Sequence, residues 1–516
     1  TYTCKNAFQL PHTLGAARYA RAGLRIERSG MPVSLYVFLC FFLPCFFFVW
    51  KFIASLQREA LSYVLLAFSL LLCALWNIWG TVLLAALMAV NYGLGLALSA
   101  PGGGDTSWRR RGLLATGILL NCLPLAVFRY VPGFAGETES FTLVSPFFPG
   151  LAFWMLMQIG WLWSIYRRQI ETEGFLRHAV FSTAFPYLFA GPIVRYEQVG
   201  RQFDGLGMPS CQDVARAVCL IVLGLAKKVL LADTLGVYTS RIFDAAQNGL
   251  PLSTAEAWAG SLCFTFQVYF DFSGYTDIAI GAALLIGLRL PENFRSPYRA
   301  TGFIEFWRRW HITLSNWLRD FPYMAIGGAW CGRTRQILSF ACAIVLAGLW
   351  HGADVTFLVW AGLNGVFLLL NFIFRFFIKG RPAEALACSL PVRAVSSALT
   401  FVAVSLCWVV FRSESLGAAL AMYRTLLGFP VVPGGVEAPA GLFANGYFVS
   451  CMSFVPLAAA AIVVFAFPTS REFTAGRQDG SRPWLSWAPT PLWAALLAAL
   501  GFFCLVWSWT PAPFIF

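Results

Sequence analysis

From Ala60 to Ala100 the chain carries no charged residue, and the same is true from Met31 to Trp50. A backbone placed in hydrocarbon must satisfy its own N–H and C=O groups, which leaves helices as the spanning form for such runs. About 20 apolar residues make one crossing. Similar windows recur to the end of the chain, near 33–50, 60–78, 80–100, 113–131, 147–165, 213–232, 257–290, 336–352, 354–378, 393–411, 449–468 and 489–510. The 257–290 window is long enough to be read as two pieces. The chain therefore reads as an all-α polytopic membrane protein with roughly 11 to 13 transmembrane helices. Composition agrees, with 59% hydrophobic and 12% charged residues against about 25% charged in soluble domains.

The formal net charge of +13 fits cytoplasmic loops rich in Lys and Arg. No basic tail interleaved with aromatics points to nucleic acid. Arg109-Arg110-Arg111 and Arg167-Arg168 place two loops inside, and the loop with Glu137 and Glu139 between them lies outside. Lys51 to Arg58, Lys379 to Arg393 and Arg471 to Arg482 then read as cytoplasmic. Residues 1–30 are polar and basic, unlike the apolar run that begins at Met31, and on this topology they fall on the wrong side. They read as a non-native or disordered extension ahead of one domain over 31–516. The fourteen cysteines form no C-x-x-C pair and mostly lie in apolar runs, so neither a disulfide framework nor a metal site is indicated.

Two segments do not read as simple spans. Phe181 to Val194 contains Pro186 and Gly191-Pro192 and has Arg177, Arg195 and Arg201 on its flanks. Basic residues on both sides favour a re-entrant hairpin shielded by protein. In 303–324, Phe303, Phe306, Trp310, Leu314 and Trp317 recur at steps of three and four. That spacing predicts one amphipathic helix at the membrane interface or re-entering it. Lys227-Lys228 interrupts the span near 213–232 and leaves the parity of the later crossings open.

His351, one of four histidines, sits in Leu349-Trp350-His351-Gly352 inside an apolar stretch. An ionisable side chain at such depth marks a function by default, and imidazole is the side chain best suited to moving protons near neutral pH. His311 lies on the aromatic 303–324 segment. Two imidazoles at different depths along one path suit transfer of a group across the membrane. For His311 alone, a structural hydrogen bond at headgroup depth explains the residue equally well. Asp271 and Asp277 are acids within an apolar region, where capping or pairing with a nearby Arg explains them better than catalysis. Arg308 and Arg309 belong to an Arg-rich stretch over 289–335 that a positive-inside loop accounts for by charge alone.

Several ordered motifs then resemble those of the membrane-bound O-acyltransferases, most of all the alginate O-acetylation branch. They are Phe270-Asp271-Phe272-Ser273-Gly274-Tyr275-Thr276-Asp277, Pro291-Glu292-Asn293-Phe294, Phe306-Trp307-Arg308-Arg309-Trp310-His311-Ile312-Thr313-Leu314-Ser315 and Leu349-Trp350-His351-Gly352-Ala353. The similarity covers about 31–516, and its densest part, about 265–365, is the expected catalytic core. Gly327-Gly328-Ala329 and Asn364 depart from the alginate-type pattern and bear on the acceptor polymer.

The resemblance implies helices in a ring around a central tunnel and catalysis by His351 and His311. Arg308, Arg309, Trp310, Ser315, Asp271 and Trp350 are the accompanying candidates for donor binding or the tunnel. It implies O-acetylation of an extracytoplasmic polysaccharide in a bacterial inner membrane, with acetyl-CoA as donor substrate, no bound cofactor, no metal, and an extracytoplasmic acetyl-transferring partner protein as a further participant. D-alanyl or peptidoglycan acyl transfer by the same fold is the alternative. A transporter or lipid-linked sugar flippase is the alternative from another class, set back by the lack of an internal repeat.

Overall fold

The computed structural model describes residues 35–100, 108–135, 150–189, 191–328, 330–380, 389–429, 454–475 and 485–507. The 1–30 extension, the loop with Glu137 and Glu139, and Ala329 lie outside the described residues. Among the described residues all regular structure is helical.

Among the described residues, six helices are long and apolar enough to cross a membrane: Leu35–Leu56, Arg58–Trp76, Ile78–Ser99, Trp108–Phe128, Val355–Ile378 and Leu390–Arg412. Leu151–Tyr166, Val455–Ala466 and Pro491–Trp507 are apolar but shorter. On the outer helices large apolar side chains such as Phe41, Phe48, Leu119 and Phe376 stand exposed, while Asn91, Asn121, Gln158 and Asp271 are buried. That arrangement suits hydrocarbon outside and polar contacts between helices inside.

At the centre, Thr254–Leu284 is one helix of 31 residues, buried on almost every side. The expected break into two pieces does not occur. At 1.5 Å per residue it is about 46 Å long, more than one membrane thickness. A Ser253–Glu256 capping box starts it, with Ser253 Oγ accepting from the Glu256 N–H and Glu256 accepting from the Ser253 N–H.

Small residues let a neighbour approach it closely. A Cβ on Gly224 would come within 2.5 Å of the Gly274 carbonyl, and one on Gly274 within 2.7 Å of the Gly224 carbonyl. The neighbour is Cys211–Ala226, which runs through a π-turn at Lys227–Asp233 into Thr234–Gln247. The lysine pair therefore does not end the helix. Lys228 Nζ lies 2.6 Å from Asp271 and 2.8 Å from Asp233, and Lys227 Nζ lies 2.6 Å from Asp277. Pairing with Lys, where Arg was the expected partner, accounts for both buried aspartates.

The segment after Gly174 is broken and enclosed. Phe175–Thr183 and the single turn Phe185–Leu188 are largely buried, and Pro186 sits in the first turn of the second, where a missing N–H costs nothing.

The 303–324 segment is where the structure departs most from the periodicity. Phe303–Trp307 and Ile312–Leu318 are separate helices, and His311 between them takes φ 42° and ψ 54°. Phe303, Phe306, Trp310, Leu314 and Trp317 are all buried nonetheless. The apolar face was read correctly, and the break runs through it.

Candidate active site

The break at His311 is imposed by the preceding segment. The Arg295 N–H donates to the Arg309 carbonyl and the Ile312 N–H to the Asn293 carbonyl, each at 2.9 Å. These two bonds lay residues 293–295 along 309–312. Phe294 supports the arrangement by packing edge-on to Trp310, 5.1 Å between centroids, and to Phe272 at 5.1 Å. A left-handed conformation costs a non-glycine residue on the order of 1 kcal/mol or more, and such strain persists where the surroundings over-determine it. Here it turns the His311 ring inward.

That ring is buried, with Phe272 edge-on at 4.6 Å, Phe153 stacked at 6.3 Å and Trp350 edge-on at 6.0 Å. His311 Nδ1 lies 3.1 Å from Asn293 Oδ1. The same oxygen accepts the Thr313 N–H at 3.3 Å and the Thr313 hydroxyl at 2.9 Å. Because a backbone N–H can only donate, this atom is the amide oxygen, and Nδ1 must carry the proton it gives. His311 Nε2 is buried and has no hydrogen-bond partner among the described residues. It is left with a lone pair.

His351 is the last residue of Arg333–His351 and lies among Trp360 at 5.0 Å, Phe411 at 5.1 Å and Phe357 stacked at 6.2 Å. The carbonyl end of a helix favours positive charge as it develops there. The chain turns away at Gly352, where a Cβ would come within 2.5 Å of the Phe357 ring. Trp350 donates its indole N–H towards the Ala152 carbonyl at 3.5 Å and packs edge-on to Phe153 at 5.3 Å.

Both histidines line the same small pocket. Its aromatic wall is Trp307, Trp310, Trp360, Trp408, Phe272 and Phe411, and Ser315 is also on the lining.

Of the residues singled out from sequence, His311, His351, Trp310 and Ser315 come together on this lining, and Trp350 packs behind it against both imidazoles. Asp271 is off the lining, held by Lys228. Arg308 is exposed, and Arg309 is tied to Glu305 at 2.5 Å. Among the described residues no group of three or more His, Cys, Asp or Glu is placed to hold a metal ion. Sequence reasoning gave no separate role to Asn293, Phe153, Trp360 or Phe411. For Asn293 the available signal was its place in the motif Pro291-Glu292-Asn293-Phe294.

The described helices thus bring one buried imidazole, His311, and one half-buried imidazole, His351, to the same aromatic pocket. The model of the membrane-bound O-acyltransferase family matches residues 34–408. The chain belongs to that family.

Relatives of this O-acyltransferase include a protein of Pseudomonas syringae pv. tomato named probable alginate O-acetylase, 34% identical over 77% of this chain and 76% of that one. A peptidoglycan O-acetyltransferase of Helicobacter pylori is 29% identical over 76% of this chain and 79% of its own. A teichoic acid D-alanyltransferase of Streptococcus thermophilus is 27% identical over 38% of this chain and 49% of its own. The protein is thus an integral membrane enzyme that transfers acyl groups to oxygen.

Proposed function

We propose that the enzyme moves an acetyl group from a cytoplasmic thioester, acetyl-CoA, to hydroxyls of an extracytoplasmic polysaccharide, directly or through a partner protein, in a bacterial inner membrane. The observation that carries the reading is the shared pocket of His311 and His351. His351 acts as general base, taking the proton of the attacking hydroxyl. As the tetrahedral intermediate collapses, the C–S bond breaks and the imidazolium returns that proton to the leaving thiolate. A positioned base of this kind contributes about 10²–10⁴-fold. The His311 Nε2 lone pair offers the pocket a hydrogen-bond acceptor. The aromatic wall suits a short acyl group and excludes water.

Acetyl is favoured over D-alanyl because the alginate and peptidoglycan acetylating relatives share about three quarters of the chain, whereas the D-alanyl relative shares 38%. Arg308, exposed beside the pocket helices, is the proposed contact for the donor's phosphates. Purified protein given acetyl-labelled CoA and a hydroxyl acceptor should release one CoA per ester formed. Absence of transfer from CoA, with transfer from a D-alanyl carrier-protein thioester, would replace this donor with the other.

A further inference from the structure

We propose that Asn293 is a positioning residue for acyl transfer, holding His311 with its proton on Nδ1 so that the Nε2 lone pair faces the reacting groups. The inference rests on the reading of His311 as part of the acyl-transfer site. The geometry supports it at three levels. The Asn293 carbonyl takes the Ile312 N–H and so sets the left-handed turn that aims the ring. Its side-chain oxygen then takes the His311 Nδ1 proton. Thr313, which gives that oxygen two further hydrogen bonds, prevents the amide from flipping, because a flipped amide would set NH₂ against an N–H. Asn293 itself is fully buried. An imidazole with the opposite tautomer would present N–H to the pocket and could not accept a hydrogen bond there.

The groups facing His311 make a pH test readable. Thr254–Leu284 presents Phe272, while its Asp271 is turned to Lys228. Leu151–Tyr166 presents Phe153, and Arg333–His351 presents Trp350 and His351. On the 291–295 segment, Glu292 pairs with Arg295 and Arg471, away from the ring. His351 is the other titratable side chain on the pocket lining.

Three variants of the full chain, purified in detergent, are compared for kcat, KM for acetyl-CoA and the pH profile of kcat. Asn293→Asp keeps the shape and the acceptor but adds a charge beside Nδ1–H. It should favour the imidazolium of His311 and move the acid limb of kcat to higher pH by about one unit or more. Asn293→Leu should lower kcat roughly 10²-fold, as misplacement of a catalytic group does, with KM little changed. Thr313→Val removes a hydroxyl from the same oxygen, and with it the acceptor of the Ile193 N–H, but spares the His311 bond, so its pH limb should stay in place. An unmoved limb in Asn293→Asp overturns the inference, and so does an equal shift in Thr313→Val. His311→Ala is run in parallel. If it is inactive while the Asn293→Asp limb is unmoved, the positioning role alone fails; if it is active, the reading of the site beneath it fails as well.

Discussion

Trp350 stands edge-on to His311 with 6.0 Å between ring centroids, and in the chain it directly precedes His351. One indole therefore touches both imidazoles, lying 4.8 Å from the His351 ring. It also reaches back to Ala152 and Phe153 on the Leu151–Tyr166 helix. The two histidines come from elements separated in sequence, and this side chain is their common neighbour.

Replacing His351 by Ala should remove acyl transfer by at least about 10²-fold and leave the protein level unchanged. Its ring lies among Trp360, Phe357 and Phe411, which can close over a small void. O-acetyl content of the exported polymer, with the protein followed by blot, is the measurement. Near-normal acetylation at normal expression would take His351 out of the mechanism.

For Trp350, Phe keeps a ring between the imidazoles and Ala does not. Trp350→Phe should retain most activity, whereas Trp350→Ala should lower kcat by roughly 10²-fold through misplacement of the pair. Steady-state kinetics on both variants tests this, and equal activity would mean that the indole is packing alone.

Lys228 and Asp271 are both buried and form an ion pair at 2.6 Å. Removing one partner of such a pair costs about 3–5 kcal/mol because the other charge is stranded. Lys228→Met should therefore lower the thermal midpoint in detergent sharply, and adding Asp271→Leu should recover part of the loss. Asp233, the second partner of Lys228, limits that recovery. A double variant no more stable than the single one would refute the pairing as the cause.

Arg308 and Arg309 should part company. Arg308 is exposed, so Arg308→Gln should raise KM for acetyl-CoA with kcat retained, the signature of lost uniform binding. Arg309 is bonded to Glu305, which also accepts from the Thr301 N–H and hydroxyl. Arg309→Gln should accordingly reduce protein yield or kcat with KM unchanged. Identical kinetic behaviour in the two variants would count against this division.

Periodicity and charge alone determined that the chain lies in a membrane, which windows are helical, and that His351 and His311 were the residues to watch. Hydrophobic runs are local, and hydrocarbon leaves them one backbone solution. Two features were invisible at that level. The single helix Thr254–Leu284 looked long enough to be two pieces, and its aspartates were assigned to caps or Arg partners because Lys227 and Lys228 reach them only after Gly224 and Gly274 bring two helices into contact. The break at His311 hid inside a flawless apolar stripe, since the burial pattern survives a turn that another segment imposes. The lone pair on His311 Nε2 depends on Asn293, eighteen residues earlier in the chain. Such facts depend on which backbones lie side by side, and only tertiary packing decided that.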